Sequence, residues 1–579
     1  MAPPAVLIVG AGPTGLTLAL ALLKSGVSVR IIDKLEQPRV GQKGTGIMPR
    51  TQEVLNMLGV LDDVYAQSVS IHSKRRRIYE MPGATKVAQE FPLAPEMAPT
   101  PDKPWPMVRG MGQDRFEALL CRHLEAHACK VERGTELRSF KKDVDFVTVE
   151  LAKTGCAIEH AKFEFLIGAD GGHSAVRKVL GLSFLGETRE EQAMVVGDIE
   201  VKKGLGDVSE AGAHRLLVAN MNISMSSTAP VEVPERFPTR NPFAKEAECE
   251  ETGPFKTNVP GLFIFMAGNS TASDKPLDTR DGFIEHFYKS TGRTDIEFGD
   301  MKVASWWRPN IRMVDKFGEG RVFVAGDAAH THSPTGGQGM NSSIQDASNL
   351  AWKLALVHKK LASRALLDTY SAERLPVIAA MLQKTTELLD KTFKSFGNGA
   401  KQYVGYAADA WKRDSELYMF GVNYRGSEIV LDERKPLSDA IPSAYGSGEG
   451  GLRAGDRAPS APVQCEARPA VQKLFDIFSC SRHTVLIFAA YLKSARRAVA
   501  ATKAIPEAIA ETFVVLSQGC PSPANAEVEV LKDVEGYAYS AYEIVQEPTV
   551  VVVRPDGAIG AIVLDDAGIG RYFAQILGQ

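Results

Sequence analysis

Between Val324 and Asn341 the chain reads VAGDAAHTHSPTGGQGMN, with one Asp, two His and four Gly packed into eighteen residues behind an apolar run. By type, Asp327, His330 and His332 could ligate zinc or iron, since imidazole and carboxylate suit both ions. The glycines offer a second chemistry, because bare backbone N–H groups can cradle an anion. A loop that only turns is the third reading. The stretch alone leaves all three open.

A second constellation is more specific. Ala5 to Val9 is a β-branched run, GAGPTG follows, Leu16 to Ser25 is helical in pattern, and Val27 to Ile32 is a second strand closed by Asp33. Gly10 permits a tight turn, Gly12 lets backbone approach a pyrophosphate, and Gly15 lets helix and strand pack closely. The helix N-terminus then points free N–H groups and a positive dipole end at the phosphates. Asp33, eighteen residues beyond Gly15, can accept from both ribose hydroxyls, which argues for NAD or FAD over NADP. Gly446, Gly448 and Gly451 repeat the spacing letter for letter, but no strand precedes them and no apolar helix follows, so they read as linker.

These residues need elements to hold them. At 579 residues the chain is too long for one core and calls for roughly three to four domains. Phe163 to Ala169 and Arg321 to Ala325 read as two further buried strands, each followed by Gly, Asp and a turn. From Phe184 to Trp307 the pattern becomes alternating strands with Pro- and Asn-rich loops, an inserted antiparallel sheet. Apolar spacing is helical from Ser342 to about Asp414, and a new unit begins at about Leu452. The divisions are therefore 1–183, 184–307, 308–445 and 452–579.

Composition narrows the class. With 67 Lys and Arg against 70 Asp and Glu, the net charge of -3 gives no footprint for nucleic acid or an anionic membrane. The one basic run, Lys74 to Arg77, reads as a solvated loop. Seven scattered Cys without a C-x-x-C argue against a disulfide framework, and no segment reaches the roughly 18 apolar residues of a membrane helix. A soluble protein of the cytoplasm is expected, with no leader segment.

Three segments in series, VLIVGAGPTGLTLALALLKSGVSVRIIDK, LIGADGGHSAVRKVLGL and GRVFVAGDAAHTHSPTGGQGMNSSIQDASNLAWKLA, resemble the flavin-dependent aromatic hydroxylases, the single-component FAD monooxygenases that include the phenol hydroxylases. Together they frame residues 1 to about 380. The resemblance implies an α/β fold, a Rossmann-like FAD-binding domain carrying an inserted antiparallel β-sheet substrate domain and a helical segment. It implies that Gly326 and Asp327 bring a carboxylate to the ribityl hydroxyls of FAD, and that Pro334, Gly336 and Gly337 run alongside the isoalloxazine. Gln338, Gly339, Met340 and Asn341 then start a helix whose N–H groups face the flavin N1 and O2 region. Under this resemblance His330 and His332 are not metal ligands, and no metal is expected. Asp170, Gly171 and Arg177 carry over as a second FAD-contacting turn with a local ion pair. Gln113 carries over as a contact to FAD phosphate or ribityl oxygens, while Arg39 and Arg50 flank a loop near the flavin ring.

The chemistry so implied is reduction of FAD by NAD(P)H, reaction with O2 to a C4a-hydroperoxide, and transfer of its terminal oxygen to a phenolic or polyketide-like aromatic. A phenolic substrate calls for a base. Phenol hydroxylases carry an Asp where this chain has Thr45, so the catalytic residues stay unknown and epoxidation, dearomatisation and Baeyer–Villiger insertion remain alternatives. His214 and Arg215, in the middle segment, are not promoted to that role. A flavin halogenase lacks support, as no W-x-W-x-I-P is present and Trp306 and Trp307 read as core or cavity wall. A non-catalytic FAD-fold binding protein is the rival from another class. Residues 452–579 resemble the thioredoxin-like domain appended to phenol hydroxylases, with Pro548 at the cis-proline position, Asp556 and Gly557 at a hairpin turn, and only an isolated Cys480 in place of C-x-x-C. That domain is expected to be structural or to form a homodimer.

Overall fold

The computed structural model describes residues 4–70, 75–79, 86–92, 96–204, 217–219, 223–227, 261–268, 275–394, 415–435, 443–446, 451–520 and 527–578. His214, Arg215, Gly448, Lys74 and residues 395–414 of the expected helical segment lie outside them. The strands that shape the site are, in chain order, β1 (Val6–Val9), β2 (Val29–Asp33), β3 (Phe165–Gly168), β4 (Met194–Lys203), β5 (Leu262–Gly268), β6 (Glu297–Trp307) and β7 (Val322–Val324). The helices are α1 (Pro13–Lys24), α2 (Pro49–Met57), α3 (Gln113–Ala126), α4 (Gly339–His358) and α5 (Asp368–Lys394).

The first sheet orders Gly318–Glu319, β7, β3, β1, β2 and Glu132–Arg133, parallel throughout except at the Gly318–Glu319 edge. Val6–Val9 is apolar at every position because it lies between two strands with helices covering the faces. Helix α1 begins with Pro13 at its first turn, where the missing N–H costs nothing, and its Leu16–Leu22 face packs on both α4 and the sheet. Because β2, β1, β3 and β7 are adjacent and parallel, their carboxyl ends meet at one edge. That edge gathers Gly10 and Asp33 of the first strand-helix-strand unit with Asp170 and Asp327 from two distant parts of the sequence.

The second large sheet is the expected middle one, but it is not built from 184–307 alone. Its order is β6, β4, β5, Ile223–Ser227, Leu217–Ala219, Arg75–Tyr79 and Val87–Pro92, so two strands come from the first segment. The basic run expected as a loop is strand over Arg75–Arg77, and its pairing with Leu217–Ala219 is parallel rather than antiparallel. One face of this sheet packs a separate apolar cluster, in which Val195, Ile199, Phe263 and Phe265 meet Phe283 and Phe287 of the helix Arg280–Thr291.

The C-terminal unit has a seven-stranded sheet with His483–Ala489 and Ala510–Leu516 parallel at its centre and Thr549–Val553 and Ile559–Val563 as an antiparallel hairpin. Its edge strand Leu431–Asp432 precedes residue 452. The Glu547–Pro548 bond is cis. The hairpin tip enters the first unit: Arg554 donates to Glu373 from Nη1 and Nη2 at 2.7 and 2.8 Å, Lys353 Nζ donates to Glu373 at 2.8 Å, and Asn349 and Ser427 each donate to it at 2.7 Å. Lys353, Glu373 and Arg554 are fully buried. One apolar core runs through both units. No helix among the described residues is long and apolar enough to cross a membrane.

Candidate functional site

One cavity of about 1000 Å³ runs from the carboxyl edge of the first sheet to the middle sheet. Gly10, Gly12, Asp33, Gln113, Asp170, Asp327, Pro334, Gly337, Gly339 and Met340 line it. Gly15, Gly326 and Asn341 do not. They stand behind its wall, and the structure shows what each does there.

The three early glycines divide the work as their spacing suggests. A Cβ on Gly10, whose φ is +105°, would lie 2.2 Å from the Ala169 carbonyl oxygen, and one on Gly15 would lie 2.0 Å from the Gly10 oxygen. A Cβ on Gly12 would meet nothing nearer than 4.0 Å, so that position is open towards the cavity. Asp33 accepts from the Ala11 and Leu35 N–H groups at 2.9 Å each, which fixes its carboxylate at the cavity and leaves lone pairs for a ligand hydroxyl.

At the neighbouring strand end Asp170 accepts from Ala175 N at 2.7 Å and Val176 N at 3.3 Å, so one oxygen caps the helix Ala175–Leu180. Its other oxygen is buried without a partner, and burial pushes its carboxyl above the usual range. The expected ion pair with Arg177 is not formed. Arg177 instead donates to the Ala328 and Gly172 carbonyl oxygens and lies 3.7 Å over the Phe184 ring. Gln113, at the head of α3, donates to Glu117 at 2.8 Å and faces the cavity.

In the opening stretch Asp327 is exposed to the cavity, and desolvation by the surrounding protein raises its carboxyl pKa. Gly326, at φ +60°, leaves no room for a side chain, since a Cβ would sit 2.4 Å from Thr14 Oγ1. His330 is fully buried behind the loop, with Nε2 2.7 Å from Asp346, whose carboxylate also accepts from Gly326 N and Arg374 Nε. His332 donates from Nδ1 to the Ser333 oxygen at 2.5 Å, and burial pushes its pKa down to about 4. The two imidazoles and Asp327 thus answer to different neighbours. Among the described residues no group of three His, Cys, Asp or Glu could hold a metal ion.

Asn341, wholly buried, joins two walls. Its Oδ1 accepts from Met48 N, and its Nδ2 donates to the Gly46 and Gly337 oxygens, all at 2.8 Å. Gly336 and Gly337 take φ of +89° and +65°, and keep the loop between Pro334 and Gly339 free of bulk. Of the two flanking arginines, Arg39 lines the cavity, whereas Arg50 turns away to bind Glu53 and the Asp556 carbonyl oxygen in the C-terminal unit.

The far wall is the middle sheet, with Val196 and Asp198 of β4, Ile264 and Met266 of β5, and Val303, Ser305 and Trp307 of β6. Asp198 was not among the residues the sequence singled out. Its signal is faint: one of two acids in the strand MVVGDIEV, at a position whose facing is set only by the strand's period of two.

The donor set fits FAD. Gly12 leaves a phosphate-sized approach at the head of α1, the orphan oxygen of Asp170 and the cavity-facing Asp327 are acceptors awaiting donors, and the loop from Pro334 to Gly339 leaves a bulk-free flank.

Comparisons agree with this geometry. Residues 4–385 match the family model described as FAD binding domain. A flavin-dependent monooxygenase of Mycobacteroides abscessus is 32% identical over 574 residues, covering 99% of this chain and 100% of that one. Pentachlorophenol 4-monooxygenase of Sphingobium chlorophenolicum is 29% identical over 544 residues, covering 93% and 89%. Among solved structures, the flavin-dependent monooxygenase PieE with FAD and substrate superposes with a TM-score of 0.77 at 21% identity, covering 100% of this chain and 99% of that one. Aklavinone-11 hydroxylase with FAD and aklavinone gives 0.73 at 23%, with the same coverage.

Proposed function

The chain belongs to the FAD-binding-domain family, with flavin-dependent monooxygenases among its full-length relatives, and from that premise we propose an FAD-dependent, NAD(P)H-consuming monooxygenase that hydroxylates a phenolic or polyketide-like aromatic. The observation that carries the reading is the single cavity that joins a dinucleotide groove to an apolar sheet floor. The reactions named for the relatives, on pentachlorophenol and aklavinone, support it.

Gly12 and the head of α1 would hold the pyrophosphate, Asp33 the adenosine ribose, Asp327 the ribityl chain, and the loop from Pro334 to Met340 the ring system. When bound and reduced by NAD(P)H, FAD supplies oxygen from O2 in a form that attacks an electron-rich aromatic carbon. The chain's own residues do the rest. Val196, Ile264, Met266, Val303 and Trp307 exclude water and present a flat apolar surface to an aromatic ring. The amino end of α4 offers N–H groups and a positive dipole end that favour negative charge on a bound ring.

Thr45 lines the cavity where phenol hydroxylases carry Asp, and that observation favours the second reading, oxygen insertion into a substrate that needs no ionised hydroxyl. Product structure separates the two. Residues 452–579 read as a thioredoxin-like unit without redox chemistry, supported by the strand order and by Cys480, whose burial pushes its thiol up to about 11. We place the protein in the cytoplasm, with the C-terminal unit in a structural or dimer-forming role.

The test is the visible spectrum of the purified protein, then anaerobic NADPH and NADH addition with and without a panel of phenols and polycyclic aromatics. Flavin peaks that bleach faster with one compound, and product carrying oxygen from O2, are the expected results. A colourless protein that cannot be reconstituted with FAD refutes the reading.

A further inference from the structure

Strand β4 has two faces. Val195 and Ile199 enter the separate apolar cluster, and Met194, Val196 and Asp198 take the other side. Asp198 lies in register between Ile264 of β5 and Val303 of β6, and the next row is Met266, Val196 and Ser305. These rows make the cavity floor. Asp198 is thus a carboxylate set among Ile264, Val303, Val196 and Met266, with Ser305 as the other polar side chain of these rows. The other lining carboxylates among the described residues, Asp33, Glu136, Asp170 and Asp327, belong to the dinucleotide half or its border strand.

We propose that Asp198 is the proton acceptor for the substrate's hydroxyl group, taking from the sheet floor the role that Thr45 cannot fill from the loop. The inference rests on the hydroxylase reading above. Its neighbours make the geometry definite. Gln42, three residues before Thr45, donates to Asp198 from its backbone N at 2.8 Å and from Nε2 at 3.3 Å, so the carboxylate is held still at the loop that carries Thr45. A carboxylate has about four acceptor sites, and these contacts use two. The charged groups facing it are Asp114 and Arg115 of α3. Burial, ahead of the lowering hydrogen bonds from Gln42, raises its carboxyl above the usual range, with Asp114 adding to the rise and Arg115 opposing it, and a raised pKa improves a carboxylate as a base. His332, another residue lining the cavity, has its Nδ1 committed to Ser333 and is pushed down to about 4 by burial.

In the proposed step the substrate O–H bond breaks, a carboxyl O–H bond forms on Asp198, and the electron pair stays on the substrate oxygen, where it activates the ring. After oxygen transfer the proton already on the oxygenated ring carbon leaves to water as the ring regains aromaticity, and the substrate oxygen takes its proton back from Asp198. Asp198 ends unchanged, and O2 and NAD(P)H remain the oxidant and reductant of the overall reaction.

The test uses FAD-loaded enzyme carrying Asp198→Asn, Asp198→Ala or Gln42→Ala, with a series of fluorinated phenols graded in acidity. Asp198→Asn keeps an oxygen for Gln42 N and should retain FAD by absorbance. Product formation with the least acidic phenol should fall about 10²–10⁴-fold in both Asp198 variants, the usual worth of a positioned base. The loss should shrink at least tenfold with the most acidic phenol, which ionises unaided. Gln42→Ala, which removes the Nε2 contact but keeps the backbone N–H contact and the carboxylate, should show a smaller loss that is the same for every phenol. Equal losses across the series in Asp198→Asn, or losses matching those of Gln42→Ala, would overturn the inference and leave Asp198 a tether. If the unsubstituted holoenzyme hydroxylates no phenol at all, the functional reading fails first, and the inference falls with it.

Discussion

Asn341 offers a perturbation whose size can be worked out from its contacts. Replacing it by Ala removes three hydrogen bonds of 2.8 Å and leaves Met48 N–H and the Gly46 and Gly337 carbonyls without their buried partner. At a net worth of about 1 kcal/mol each, the arrangement that holds the loop Gly46–Met48 against the loop at Gly337 loses about 3 kcal/mol. A tenfold change costs about 1.4 kcal/mol, so the population of pocket-competent protein falls by up to about 100-fold, and the apparent Kd for FAD rises with it. We expect a rise of between about tenfold and 100-fold. Asn341→Asp should do no better than Ala, although it is the closest isostere. It keeps the acceptor for Met48 but turns a carboxylate oxygen towards two carbonyls. Titration of apoprotein with FAD, followed by flavin fluorescence, measures the effect, and circular dichroism checks the fold. A Kd within threefold of the unsubstituted protein, with an unchanged thermal midpoint, would refute the idea that Asn341 spans the two walls to any energetic purpose.

Other perturbations reach different parts of the molecule. Glu373→Gln leaves Lys353 and Arg554 buried against a neutral partner and should cost about 3–5 kcal/mol in urea unfolding, while replacement of all three by apolar residues of like volume should recover most of it. The charges of Arg554 and Lys353 overcome burial and hold the Glu373 carboxyl well below its ordinary 4.5, so its charge contributes stability that is complete above 4.5 and lost as the pH falls; the variant should flatten that acid limb. Asp327→Ala should lose most bound FAD while circular dichroism stays native, and full FAD occupancy would overturn our reading of its role. Cys480→Ser should leave NAD(P)H oxidation and hydroxylation rates unchanged, since its thiol is buried and protonated, and a large loss would restore a redox role to the C-terminal unit.

What the sequence makes legible is what is local. Gly10, Gly12, Gly15 and Asp33 lie within one strand-turn-helix-strand unit, and each of the four can be assigned a task from spacing alone. The opening stretch is half legible: the turn is plain, but the choice between metal and cofactor depends on Asp346 of α4, which engages His330, and on Arg374 of α5, which engages Asp346. Contacts between distant segments leave no periodic trace. Asn341 meets Gly46 across 295 residues, Asp198 meets Gln42 across 156, and Arg50 meets Asp556 across 506. The strand Arg75–Tyr79 escapes for the same reason, because a basic run reads as a loop until a partner strand is placed beside it.

The alternation along β4 also bears on how substrate choice can change over time. The apolar cluster that stabilises the middle sheet draws on one face only, and the cavity draws on the other. Exchanges at Val196, Ile264, Met266 or Val303 therefore reshape the space offered to a guest molecule while the packing that keeps the sheet folded stays intact. Selection, natural or in a library randomised at these four positions, can explore new ring outlines on a scaffold that need not be rebuilt each time.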